Sequence, residues 1–278
     1  MSYYVITLIT FLFPVGVLAI GALDIFANRN AGLSRTLFGI FLLALLSFFL
    51  FNLMTEVEMN SIQIMAFMML LPISMLAAPI LLMYQTSLMG RSKKLLGDGS
   101  IVLHAFSALL VTVVLISGMF VFSFDELNDI LTSQKLESKE VYKIAARWIL
   151  VGAHFMWYAQ LIWYTRKIQM VYAKQRRKYG KYYAEYEERN EQLMLRQVVI
   201  LMMVGVYDLM FWVVRVRNPI LLIIANLVFG LLLAYLIISG KEQIDKKKYR
   251  MYKLSSHEDE VNEKREKDSI RKRPKKMD

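Results

Sequence analysis

Seven long apolar stretches, and the way basic residues sort between them, constrain this chain more than any other feature. They run over Tyr3–Ala27, Thr36–Met54, Ile62–Tyr84, Ile101–Phe124, Ile144–Tyr164, Val198–Val216 and Pro219–Ser239. A hydrocarbon core about 30 Å thick is crossed by about 20 helical residues, and each stretch is close to or above that length. Within lipid every backbone N–H and C=O must be satisfied inside the segment, so runs of this kind are helices. The pattern predicts an all-α integral membrane protein built as a seven-transmembrane-helix bundle over residues 1–240, followed by a basic tail over 241–278.

The connections alternate in charge. Of the 34 Lys and Arg residues, 28 fall between spans one and two, three and four, five and six, or after span seven. The other side holds only Lys135, Lys139, Lys143, Arg147, Arg215 and Arg217. The positive-inside rule therefore places the N-terminus outside and the C-terminus in the cytoplasm, as an odd number of spans requires. The net charge of +11 is concentrated on the inner side. There anionic inner-leaflet lipids attract it, by about 1 kcal/mol per basic residue near the surface. The first stretch lacks a basic leader and exceeds a signal-peptide core, so it reads as an uncleaved span in the inner (plasma) membrane.

The soluble parts are small. Asp125–Tyr142, the longest outer segment, is polar with scattered apolar residues, enough for a short amphipathic helix and too little for a core. Arg166–Gln197 reads as a continuation of span five, interrupted at Gly180. Its cluster Lys174, Arg176, Arg177, Lys178 and Lys181, interleaved with tyrosines, suits the inner leaflet or a partner surface. The tail carries 14 basic and 9 acidic residues and few apolar ones, which fits a disordered or partly helical, lipid-facing or partner-docking segment. No direct contact with nucleic acid is expected of this tethered surface.

Charges inside spans are costly and are functional candidates by default. Asp208 lies in span six with Arg215 seven residues on, and His154 lies in span five with Arg147 seven residues nearer the outer end. Seven residues is two helical turns, so each pair shares a face. Arg147, His154, Asp208 and Arg215 form a set that can line an outer pocket for a small, anionic ligand. The same set can be proton-sensitive through the histidine, or can simply bridge and lock helices. Pro72 and Pro79 lie seven apart in span three and predict a kink there. Gly230 and Ala234 form a small-residue pair in span seven.

Catalytic chemistry has no visible footing. The chain has no cysteine, which excludes disulfides and thiol catalysis, and no HExxH, Gly-rich phosphate loop or recognisable Ser/His/Asp spacing. Span seven lacks the lysine a retinal Schiff base needs. Neither an enzyme nor a metal or other cofactor is expected.

Ala77-Ala78-Pro79-Ile80-Leu81-Leu82-Met83-Tyr84-Gln85-Thr86-Ser87-Leu88 resembles a "GPLLYLYVRSL"-type segment. It belongs to bacterial multispan membrane sensors fused to a C-terminal AraC-type helix-turn-helix domain. His104 ahead of span four and Tyr179–Asn190, which is similar to the family's "FSYEE" region, extend the resemblance over about residues 1–240. Position 78 is Ala where the family usually has Gly. The resemblance implies a sensor module. The 39 polar residues from Gly240 to Asp278 do not supply the DNA-binding domain, which needs about a hundred residues. Signalling through a cytoplasmic or membrane protein partner follows. The expected function is thus a sensory or regulatory membrane protein that binds an external cue in the outer half of the bundle. An accessory subunit of a membrane assembly and a small-solute or proton-coupled transporter are the alternatives.

Overall fold

A computed structural model describes residues 3–27, 32–54, 69–88, 105–123, 125–126, 141–179, 184–209 and 220–245. Among these residues there is no strand, and the ordered elements are helices: α1 (Tyr3–Ala27), α2 (Leu33–Met54), α3 (Met69–Leu88), α4 (Phe106–Val121), α5 (Val141–Tyr179), α6 (Ala184–Leu209) and α7 (Ile220–Asp245).

Four predicted stretches are realised as helices long and apolar enough to cross a membrane: Ile9–Ala27, Leu33–Leu53, Met69–Leu88 and Ile220–Asp245. Ala108–Gly118 is a shorter apolar core within α4. In α5 the apolar run is diluted by His154, Gln160 and several Trp and Tyr residues. The outer part of predicted span six, beyond Leu209, lies outside the described residues.

The element ends differ from hydropathy where tertiary contacts extend a helix. α7 continues six residues past Ser239 because this extra turn and a half is not free: Lys241 pairs with Asp24 of α1, and Gln243 is buried. α2 starts at Leu33 rather than Thr36, its first turn closed by bonds from the Arg35 and Thr36 N–H groups to the Gly32 carbonyl. α5 continues fifteen residues beyond Tyr164, as the sequence indicated for the inner extension. The kink expected in α3 is present as a break at Leu76. Pro79 has no N–H for the Met75 carbonyl and its ring crowds that carbonyl, so the regular ladder fails one turn earlier.

α2 is the central helix. It supplies Phe38, Phe41, Leu42, Leu45, Phe49 and Phe51, all fully buried. α1 packs on α2, α2 on the Ala77–Leu88 half of α3, and α3, α4 and α6 all pack on α5. α7 closes against α1 and α2: Ile237 lies over Gly21, Phe13 over Gly230 and Phe38 beside Gly240. Gly230 thus makes the close helix contact that its small-residue spacing predicted.

The outward faces are strongly apolar. Ile20, Leu23, Leu231, Ile238 and Phe120 are each at least 65% exposed, which in water would constitute an aggregating surface and in lipid is the expected solvent-facing side.

Candidate functional site

The helices align their predicted inner ends in one layer, and that layer is polar. Gln85 of α3, Gln197 of α6 and Gln243 of α7 are buried, at 0%, 0% and 2% exposure. The Gln85 amide donates from Nε2 to Gln197 Oε1 at 2.6 Å, and Gln197 Nε2 donates to Gln243 Oε1 at 3.0 Å. The Tyr84 hydroxyl donates to the Gly240 carbonyl at 3.1 Å and stands 3.1 Å from Gln243 Oε1. Gln243 Nε2 donates to the Asn190 carbonyl at 3.3 Å, and Asn190 Nδ2 to the Tyr172 hydroxyl at 2.9 Å, which brings in α5. Beside this chain, Ser87 donates to Ser34 of α2 at 2.9 Å. One acceptor, Gln85 Oε1, is buried without a partner among the described residues.

An uncharged network of this kind joins four helices through groups that must find partners inside the protein, because lipid offers none. Each interhelical bond contributes modestly, about 0.6 kcal/mol on average in a bilayer protein. The larger effect is selection of one register, since sliding any helix by a residue strands several amides together.

A second polar layer lies deeper in the bundle. The Tyr207 hydroxyl donates to Asn226 Oδ1 at 2.9 Å, and Asn226 Nδ2 reaches Thr10 Oγ1 at 3.5 Å. Phe48, Phe49 and Phe229 surround the tyrosine ring at centroid distances of 6.5, 6.1 and 5.0 Å. Asn226 is fully buried and ties α7 to α6 and α1.

Of the charged residues singled out in the sequence, Arg147 and His154 lie on α5 and Asp208 on α6, and these two helices pack together. Tyr158 of α5 donates its hydroxyl to the Gly205 carbonyl of α6, where the absence of a side chain on Gly205 lets the ring approach. The two helices run in opposite directions from this contact. His154 on α5 and Asp208 on α6 each follow about one turn beyond it toward the same end, so their backbones occupy the same level. Their side chains, and the whole of Arg215, lie outside the described residues. Arg147 sits two turns farther along α5 and is buried, at 8% exposure. Lys174, Arg176, Arg177 and Lys178 are on the α5 extension, with side chains outside the described residues, as is all of Lys181.

Just past the C-terminal end of α4, Ser123 and Glu126 form a reciprocal capping box. The Ser123 N–H donates to Glu126 Oε2 at 2.8 Å, and the Glu126 N–H to Ser123 Oγ at 3.3 Å. The bond from the Ser123 N–H, helped by the Ser123 hydroxyl and by Lys143 at 3.6 Å, holds the Glu126 carboxyl below the usual glutamate range. Asp125 and Glu126 are helical; the rest of the short amphipathic helix expected in Asp125–Tyr142 lies outside the described residues through 140.

Sequence reasoning looked for charges and passed over the neutral amides. Asn226 carried a readable signal, as the one amide in the apolar run Pro219–Ser239. Gln85, Gln197 and Gln243 did not, because each stands at the edge of a span, where an exposed polar residue is ordinary.

Among the described residues no group of three or more acidic or imidazole side chains is placed to hold a metal. Compared with known protein families, curated proteins and solved structures, the chain matches none.

Proposed function

We propose that this chain is a sensory or regulatory seven-helix membrane protein, with its N-terminus outside and its C-terminus in the cytoplasm. An outer cue acts on the level of Arg147, His154 and Asp208, and the output is delivered by the α5–α6 hairpin to a cytoplasmic partner. One observation carries this reading: α5 is a single unbroken helix of 39 residues. At 1.5 Å per residue it is about 58 Å long, roughly twice a hydrocarbon core. It therefore links the buried Arg147 to the basic cluster at 174–178 without a joint. A displacement at one end is transmitted to the other as a rigid-body shift, one of the ordinary ways bundles switch.

The inner amide layer supports the same reading. Asn190 and Tyr172 clamp the root of the hairpin, and Gln243 fastens that root to α7. These bonds couple α5, α6 and α7, so that a shift of α5 is passed to its neighbours. The similarity of the Ala77–Leu88 and Tyr179–Asn190 segments to multispan sensors supports this reading.

The test is partner capture from native membranes. Full-length protein is compared with K174Q/R176Q/R177Q/K178Q, with a copy ending at Asp245, and with R147Q. A regulator lost with the hairpin variant, and altered in amount by R147Q, supports the proposal. A stable membrane complex unaffected by all three contradicts it and favours an accessory subunit.

A further inference from the structure

On the lipid-facing side of α6 and α7, directly behind the buried amide layer, one basic group is held in a fixed place. Arg196 Nη1 donates to the Tyr235 hydroxyl at 2.7 Å. The adjacent Gln197 bonds Gln243 across the same two helices on the inside, so the pair is clamped from both faces. Arg196 is exposed, and this bond uses one of the five donors of a guanidinium. From Arg196 the exposed face of α6 continues at helical spacing through Val199 and Met203, 55% and 41% exposed. Toward the same end, the facing ridge of α7 presents Leu231, 66% exposed. An apolar furrow capped at one end by a preorganised cation has the two halves of a phospholipid's chemistry. The cap also lies at the end of the bundle where the sequence concentrates its positive charge.

We propose that Arg196 and Tyr235 bind the phosphodiester headgroup of one anionic phospholipid, whose acyl chains lie along Val199, Met203 and Leu231. The guanidinium offers paired donors to the phosphate, and the tyrosine fixes the depth and orientation of that fork at the headgroup level. Because Tyr235 already holds the side chain, little rotamer freedom is lost on binding.

The full chain is purified, reconstituted with phosphatidylglycerol or phosphatidylcholine, and assayed for retained lipid by native mass spectrometry. The parent is expected to retain one phosphatidylglycerol in preference to phosphatidylcholine. R196Q is expected to weaken that retention about tenfold or more, the scale of a lost charged hydrogen bond. Y235F weakens it less, and K167Q, a basic residue elsewhere on the same end, leaves it unchanged. Equal retention by R196Q and parent, an equal loss in K167Q, or indifference between the two lipids overturns the proposal. Displacement by water-soluble glycerophosphoglycerol at matched concentration overturns the acyl-chain part. If R196Q does not insert, R196K serves in its place, with a several-fold loss expected. Carbonate extraction of the same membranes scores bilayer integration separately, so failure of the membrane reading is distinguishable from failure of the lipid site.

Discussion

Replacing Gln197 by leucine removes two interhelical bonds while nearly conserving volume. The bonds are those from Gln85 at 2.6 Å and to Gln243 at 3.0 Å. At about 0.6 kcal/mol each they account for about 1.2 kcal/mol. The consequences for the two partners differ. Gln243 keeps its contacts with Tyr84 and the Asn190 carbonyl. Gln85 has a buried Oε1 without a partner already, and Q197L removes the acceptor of its Nε2 as well. Stranding a buried donor costs about 1–3 kcal/mol, so the total for Q197L is about 2–4 kcal/mol. The double variant Q85L/Q197L removes the stranded amide and recovers most of that second part, leaving a deficit near 1 kcal/mol. The sign is the informative feature: a second core substitution is expected to restore stability. Unfolding by sodium dodecyl sulfate in bicelles, followed by fluorescence of the 4 tryptophans, measures both. The reasoning is refuted if Q85L/Q197L is no more stable than Q197L, or if Q197L lies within about 0.5 kcal/mol of the parent, the range of a neutral surface change.

Gly240→Ala places a methyl group on the ring of Phe38, which is fully buried, and should destabilise by about 1–3 kcal/mol in the same assay; a neutral result would mean that α7 and α2 are not in close contact there. Asp24→Asn should cost no more than about 1 kcal/mol, because the Asp24–Lys241 pair is half exposed; a much larger loss would show a buried role for this pair. The Ser123–Glu126 box should be pH-dependent. A carboxyl held below its usual range stabilises the box above that range, and the contribution is lost as falling pH protonates Glu126. Amide exchange at Ser123 and Glu126, corrected for intrinsic rates, should therefore speed up in acid, and E126Q should flatten the dependence.

How much was legible in the sequence follows from which forces are local. Hydropathy located α1, α2, α3 and α7, since membrane burial acts on each segment independently. Pro79 announced the break in α3, and the helix-forming run after Tyr164 announced the α5 extension, because both effects arise from nearest neighbours. The overrun of α7 was not legible. Lys241 and Gln243 look like the exit of a span until Asp24 and the Asn190 carbonyl are placed beside them. The same holds for the inner layer, whose bonds connect positions 112, 156 and 46 residues apart. Periodicity assigns a residue to a face of its own helix and carries no information on which distant helix meets that face. Charge singled out Arg147, His154 and Asp208, and the packing of α5 on α6 brings the backbones of His154 and Asp208 to one level, with Arg147 two turns farther along α5. Neutral amides built most of the described interior network, and a search for charge does not find them.

The seven-crossing topology, with the α5–α6 hairpin on the tail's side, is the premise of the proposed output and can be measured directly. The chain contains no cysteine, so single substitutions K135C, K178C and E258C report sidedness without background. Membrane-impermeant maleimide applied to intact cells should label K135C, and should reach K178C and E258C only after permeabilisation. If only α1, α2, α3 and α7 cross, positions 135 and 178 share one side and label together; that outcome would contradict the account.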